Sequence, residues 1–220
     1  HQHPHQHPHQ HPHQHLPTFT FIHSPTHTHF VHVSPDDTNV KVIGNLPFNV
    51  ATELLLKWLR QLSTQTGLFS YGRVPLVLTF QKEVAQRITA AVGSKQFSRL
   101  SVMTQCLADA RLNYVLHSKV FVPPPEVEGA VVSIKPRITP FLSPEVPFQE
   151  LEWVLRETFG QKRKIMSNSV KTWPGGSQCL QRSGIPPHLR PEQVDVEAWV
   201  RLALTHTQSM APSPSHDTKG

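Results

Sequence analysis

The chain has only two cysteines among 220 residues, Cys106 and Cys179, far apart and in neither Cys-x-x-Cys nor zinc-ligand spacing. That excludes a disulfide-stapled secreted scaffold and fits a reducing compartment. No apolar run approaches the roughly 18 residues that a membrane-spanning helix needs. Stretches such as Val74–Phe80 are as long as they come, so a soluble protein is expected. No Gly-x-Gly-x-Gly occurs among the ten glycines, so no backbone cradle for a phosphate or nucleotide is legible. Charge is nearly missing from residues 1–44, which hold Lys41 against Asp36 and Asp37; the rest of the chain is therefore more basic than the net +6 suggests. A basic folded part suits a polyanionic partner, nucleic acid being the commonest, although a merely soluble basic protein carries such a charge equally well. The chain opens on His1 rather than methionine, which reads as a fragment.

What is present divides the chain. Residues 1–15 repeat His-Gln-His-Pro. Proline at every fourth position blocks both a helix ladder and a central strand, and nothing apolar is there to bury. Alternate histidines such as His1, His3 and His5 have at most adventitious metal affinity, and no metal site is expected. Residues 1–33 as a whole are expected to be disordered, without helical or strand period and without a legible targeting signal. From Ser34 the texture changes. Val40–Ile43 reads as a buried strand meeting the loop Gly44-Asn45-Leu46-Pro47. Thr52 is placed to cap a helix whose inner face is Leu55, Trp58, Leu59 and Leu62. Val74–Phe80 predicts a second strand, Gln81–Val92 a helix stopped by Gly93, and Leu100, Met103, Leu107 and Ala110 a further helix. Strands at Tyr114–Ser118 and Ala130–Lys135 follow, separated by the proline-rich Phe121–Pro125. This order predicts an α/β domain with a mainly parallel sheet. After Pro140 the strands stop: helices are expected at Phe148–Phe159, at Lys162–Lys171 and after Asp195, with a disordered Ser/Pro-rich tail from about residue 207.

The tetrad Asn45-Leu46-Pro47-Phe48 carries chemistry of its own. The exocyclic amine of adenine is a poor nucleophile because its lone pair is delocalised into the ring. Two acceptors that take its hydrogens draw the nitrogen toward tetrahedral geometry. The Asn45 side-chain oxygen and the Leu46 carbonyl are such a pair, turned the same way by Pro47. Phe48 offers a face for an unstacked base, worth roughly 1–3 kcal/mol. Alone, four residues also describe an ordinary turn with Phe48 in the core. Phe121, on a stiff loop between the last two strands, is expected at the same carboxyl edge of the sheet, holding the base from its other side. A hydrophobic plug under a proline loop is the plainer reading of that phenylalanine.

The run Val42–Phe48 resembles motif IV of the rRNA adenine N6,N6-dimethyltransferases of the KsgA type. Gln81-Lys82-Glu83-Val84-Ala85, Ser98–Met103 and Phe121–Val127 resemble further blocks of that family, in the family's order. Within it, Lys57-Trp58-Leu59, Tyr71-Gly72-Arg73, Leu78-Thr79-Phe80 and Gly93-Ser94-Lys95-Gln96 are most similar to mitochondrial members. The resemblance runs from about residue 35 to 206. It implies an α/β fold in which 34–139 are the C-terminal half of a Rossmann-like methyltransferase domain and 140–206 a small helical RNA-binding domain. It implies an S-adenosylmethionine-dependent enzyme, a monomer, dimethylating two adjacent adenines of small-subunit rRNA in mitochondria. Asn45 would hold the amine beside the methyl donor, Leu46 and Pro47 would complete that site, and Phe48 and Phe121 would contact the adenine. The cations Lys162, Arg163, Lys164 and Lys171, four in ten residues without an acid, would face RNA phosphates.

The family's donor site, a glycine-rich loop followed by an acid on the ribose, has no counterpart in residues 1–44. Two expectations follow: the Val40–Ile43 strand presents an unpaired edge, and the chain is inactive alone. Two other functions stay open, a non-catalytic RNA-binding ribosome-assembly factor and a mitochondrial transcription factor acting by contact.

Overall fold

The computed structural model describes residues 18–24, 27–33, 40–161 and 163–210, as backbone alone for those before Lys41. The described residues form six strands: β1 (Thr18–Ser24), β2 (His27–Val33), β3 (Val40–Gly44), β4 (Leu76–Gln81), β5 (Ala108–Leu116) and β6 (Gly129–Pro136). They form one sheet in the order β1-β2-β3-β4-β6-β5. The expected mainly parallel sheet is corrected to a mixed one. Only β3 and β4 pair in parallel, across the crossover that a parallel pair requires. β6 is inserted antiparallel between β4 and β5, so β5 runs in the same direction as β3 and β4 without pairing with either. The carboxyl ends of β3, β4 and β5 therefore share one edge of the sheet, and the connection from β5 to β6 lies there too.

Residues 18–33 are the largest correction. Instead of a structureless tract, β1 and β2 form an antiparallel hairpin. Its second arm pairs with β3, matching Val31 with Val42 and Val33 with Val40. The histidine bias hides a strand pattern: Thr18-Phe19-Thr20-Phe21 and His29-Phe30-Val31-His32-Val33 are rich in β-branched and aromatic residues. The expected open edge of β3 is thus covered by β2. The repeat in residues 1–15 and most of the tail, 211–220, lie outside the described residues.

Helix α1 (Phe48–Ser63) fills the crossover and begins four residues before the expected Thr52, because Pro47 already has a helix-entry φ of −58°. It buries Ala51, Leu55, Leu59 and Leu62 against the sheet. Helix α2 (Lys82–Ile88) is shorter than expected, capped at Thr89, whose hydroxyl bonds back to the Ala85 carbonyl. Helix α3 (Arg99–Gln105) also ends early, since Ala108 and Ala110 are already in β5, paired with Pro136 and Ile134. Leu107, buried just before this edge strand, and Ala110 within it happen to stand three residues apart and so mimic helical spacing. Beyond β6 come α4 (Phe148–Phe159), α5 (Met166–Ser169), α6 (Gly176–Ser183) and α7 (Val196–Met210). Asp195 caps α7 as its sequence suggests, accepting the Ala198 N–H at 2.7 Å.

The helices after β6 share the core of the sheet rather than forming one apart. Phe97, fully buried beside α3, lies 6.4 Å from the ring of Phe159 on α4, which lies 5.4 Å from that of Trp199 on α7. Both cysteines sit within this core, and burial pushes the Cys106 thiol up to about 12. A thiol reagent at about pH 8, where an exposed cysteine is partly thiolate, should leave the native chain unlabelled. Denaturant should release both thiols together. Labelling of Cys106 before unfolding would mean that the packing of α3 against α4 and β5 is wrong.

Candidate active site at the carboxyl edge of the sheet

β3 ends at Gly44, and the three residues before α1 turn the chain through a right-angled change of role, from ladder to loop to helix. The Pro47 carbonyl accepts the first helical N–H groups, from Val50 and Ala51, both at 3.1 Å. Leu46 is buried, whereas Asn45 is exposed at the sheet edge. The last ladder pair of β3 and β4 joins Gly44 to Leu78. One residue further, Thr79 takes over. Its hydroxyl accepts the Leu46 N–H at 3.1 Å and donates to the Asn45 side-chain oxygen at 2.6 Å. That oxygen keeps a second lone pair for another donor.

Phe121 comes to the same place from the connection after β5. Its ring meets that of Phe48 with centroids 5.9 Å apart and planes at 70°. The expected sandwich is corrected here: the two rings touch edge to face, so a base can lie on one ring and abut the other. Such an edge-to-face pair adds about 0.5–1.5 kcal/mol beyond its burial. Both rings rest on the backbone of Gly129, where a Cβ would stand 2.9 Å from Phe121 and 3.4 Å from Phe48. Lys82 braces the support. Its N–H donates to the Glu128 carbonyl at 2.9 Å, and its ammonium reaches the Glu128 carboxylate at 2.7 Å, holding that carboxyl below its ordinary pKa. Three of the family-like blocks, Asn45–Phe48, Gln81–Ala85 and Phe121–Val127, are therefore contiguous in space.

Of the predicted basic helix over Lys162–Lys171, the described residues form only the single turn of α5. Arg163 and Lys164 lie exposed in the turn before the single-turn α5, Lys171 lies exposed after it, and Lys162 is outside the described residues. The segment cannot extend α4, because the N–H groups of Met166 and Ser167 are taken by the carbonyls of Leu189 and Pro187. Sequence reading also missed a cleft of about 1170 Å³ between α1, α2 and α3 on one side and α4 on the other. Arg60, Arg87, Lys95, Arg99 and Arg156 line it, from four separate stretches of chain. Arg60 spans it, donating two bonds to Glu152 at 2.6 and 3.0 Å. One end of the cleft, at Thr52 and Glu53, is little more than a helical turn from the Asn45 loop.

This arrangement presents two aromatic rings and an amide oxygen with a spare lone pair at one sheet edge, chemistry that suits a flat base bearing an amine. A sequence model of the family described as "Ribosomal RNA adenine dimethylase" matches residues 18–208. "Dimethyladenosine transferase 1, mitochondrial" of Vermamoeba vermiformis is 44% identical over 188 residues, covering 85% of this chain and 54% of that protein. The protein of the same name from Homo sapiens is 43% identical over 186 residues, covering 81% and 53%. The chain thus spans about half the length of these relatives. Among solved structures, a dimethyladenosine transferase from Plasmodium falciparum superposes with a TM-score of 0.63 at 23% identity, covering 77% of this chain and 67% of that one. The 23S rRNA methyltransferase ErmE does so at 0.52 and 20% identity, covering 79% and 68%. These two show the fold, a Rossmann-like methyltransferase sheet with appended helices. The family match and the identity to its relatives show more: the chain belongs to the ribosomal RNA adenine dimethylase family.

Proposed function

We propose that the protein, at its full natural length, transfers methyl groups from S-adenosylmethionine to the N6 atoms of two adjacent adenines in small-subunit rRNA, in the mitochondrion where its named relatives belong. The observation that carries this reading is the convergence of Asn45, Phe48 and Phe121 at one edge, reached from two separate segments of chain. The base leaves its stack and lies on Phe48 or Phe121. The free lone pair of the Asn45 oxygen and the Leu46 carbonyl accept the two N6 hydrogens, which localises the nitrogen lone pair for attack. Holding the nitrogen in line is the main service this half performs.

The described residues do not by themselves fit the methyl donor. Beside β3, where a parallel strand, a glycine turn and a helix N-terminus would cradle it, stands the antiparallel arm β2. Asn45 is left as a lateral contact.

Mass spectrometry of small-subunit rRNA after depletion of the protein tests the reading. Loss of dimethyladenosine is expected; an unchanged level would overturn it. The cations extend it to RNA. Neutralising Arg163, Lys164 and Lys171 together should weaken RNA binding and flatten its salt dependence. Each lost phosphate contact removes about 0.9 from the log–log slope on duplex, or about 0.7 on single strands. An unaltered slope in the triple variant would make these residues a plain solvated face.

A further inference from the structure

We infer that Thr79 is a positioning residue for the amine-binding site, fixing the rotation of the Asn45 carboxamide. The inference rests on the methyltransferase reading above. β4 alternates, burying Leu76, Leu78 and Phe80 on one face and turning Val77, Thr79 and Gln81 to the other. Thr79 sits one residue past the last parallel pair, where β3 has already become a loop. The Leu46 N–H, buried with its residue, has lost its ladder partner there and needs an acceptor. The Thr79 hydroxyl supplies it at 3.1 Å. With its lone pair so engaged, the hydroxyl has one proton to give, and it gives it to the Asn45 oxygen at 2.6 Å.

One side chain therefore sets both acceptors proposed for the amine. By anchoring the Leu46 N–H it fixes the Asn45–Leu46 peptide, and with it the backbone position from which the Leu46 carbonyl is presented one unit on. By donating to Asn45 it holds the carboxamide with its oxygen toward the sheet and its NH2 away, leaving the other lone pair for substrate. Without Thr79 the exposed carboxamide is free to rotate, and half of its rotamers would present NH2 hydrogens to an amine that must itself donate.

The test compares Thr79→Val and Thr79→Ser in the full-length protein. Valine keeps the shape and suits a strand, but removes both hydrogen bonds; serine keeps both. Thr79→Val should lower kcat on the order of 100-fold with KM for RNA unchanged, as expected for misplacement rather than lost binding. Serine should restore kcat to within about threefold on the same reasoning. Hydrogen exchange of the Leu46 amide, read without substrate, should accelerate in the valine variant and not in the serine one. A wild-type protein that methylates, with a valine variant that methylates equally fast, overturns the inference. So does a loss of kcat that serine fails to restore. If the wild type methylates no adenine, the methyltransferase reading fails instead, and the role of Thr79 in holding the loop is then decided by the Leu46 exchange alone.

Discussion

Replacing Asn45 by alanine in the full-length protein should reduce turnover on the order of 10²–10³-fold, the usual cost of removing one preorganised dipole from a reacting centre. RNA affinity should shift by no more than about fivefold, since one neutral hydrogen bond contributes about 1 kcal/mol net. The side chain is exposed, and its bond within the described residues is to Thr79, so little packing is lost with it. The Leu46 N–H keeps its acceptor in the variant, because that acceptor is the Thr79 hydroxyl and not Asn45. The loop should therefore survive while the chemistry stops. Single-turnover methylation and a filter-binding titration on the same RNA separate the two quantities. Parallel loss of both would make Asn45 a structural turn residue and leave the amine without its proposed acceptor.

How much of this was legible in the sequence depends on how local the determining physics is. Asn45–Phe48 could be read because a β-branched run, a glycine and a proline occur within seven residues. The capping of α7 by Asp195 is equally local and was equally legible. Thr79 was not, because a threonine in an apolar strand looks like any β-former. Its role exists only through the parallel pairing of β3 with β4, across 33 and 34 residues. The cleft cations were hidden for the same reason, one or two on each of several elements. Lys162–Lys171 misled in the opposite sense. A dense basic run looked like a helix face, yet the backbone there is held by the carbonyls of Pro187 and Leu189. In residues 18–33 composition overrode pattern: histidine frequency suggested a disordered tract, while alternating Thr, Phe and Val already favoured strands.

The 220-residue chain, purified alone, should neither bind S-adenosylmethionine measurably nor methylate RNA. A small ligand gains affinity by being surrounded, and its ordering on an open surface costs several kcal/mol before any contact counts. In nucleotide-binding sheets the surround comes from a parallel strand, a glycine turn that lets backbone approach, and a helix N-terminus. Beside β3 the described residues offer instead β2, which runs the other way and pairs on its far side with β1. A hairpin of that kind caps an edge, as a ladder partner does, without building a cavity. Asn45 remains reachable, but its oxygen already holds the Thr79 proton and makes one side of a site at best. Asp36 and Asp37, the carboxylates that precede β3 in the sequence, lie outside the described residues. Calorimetric titration with the donor, after circular dichroism and the unreactive cysteines confirm folding, should give no heat beyond dilution. A micromolar dissociation constant would mean that the hairpin side of β3 does form a donor site, and methylation of RNA by the same preparation would make the chain a sufficient methyltransferase unit.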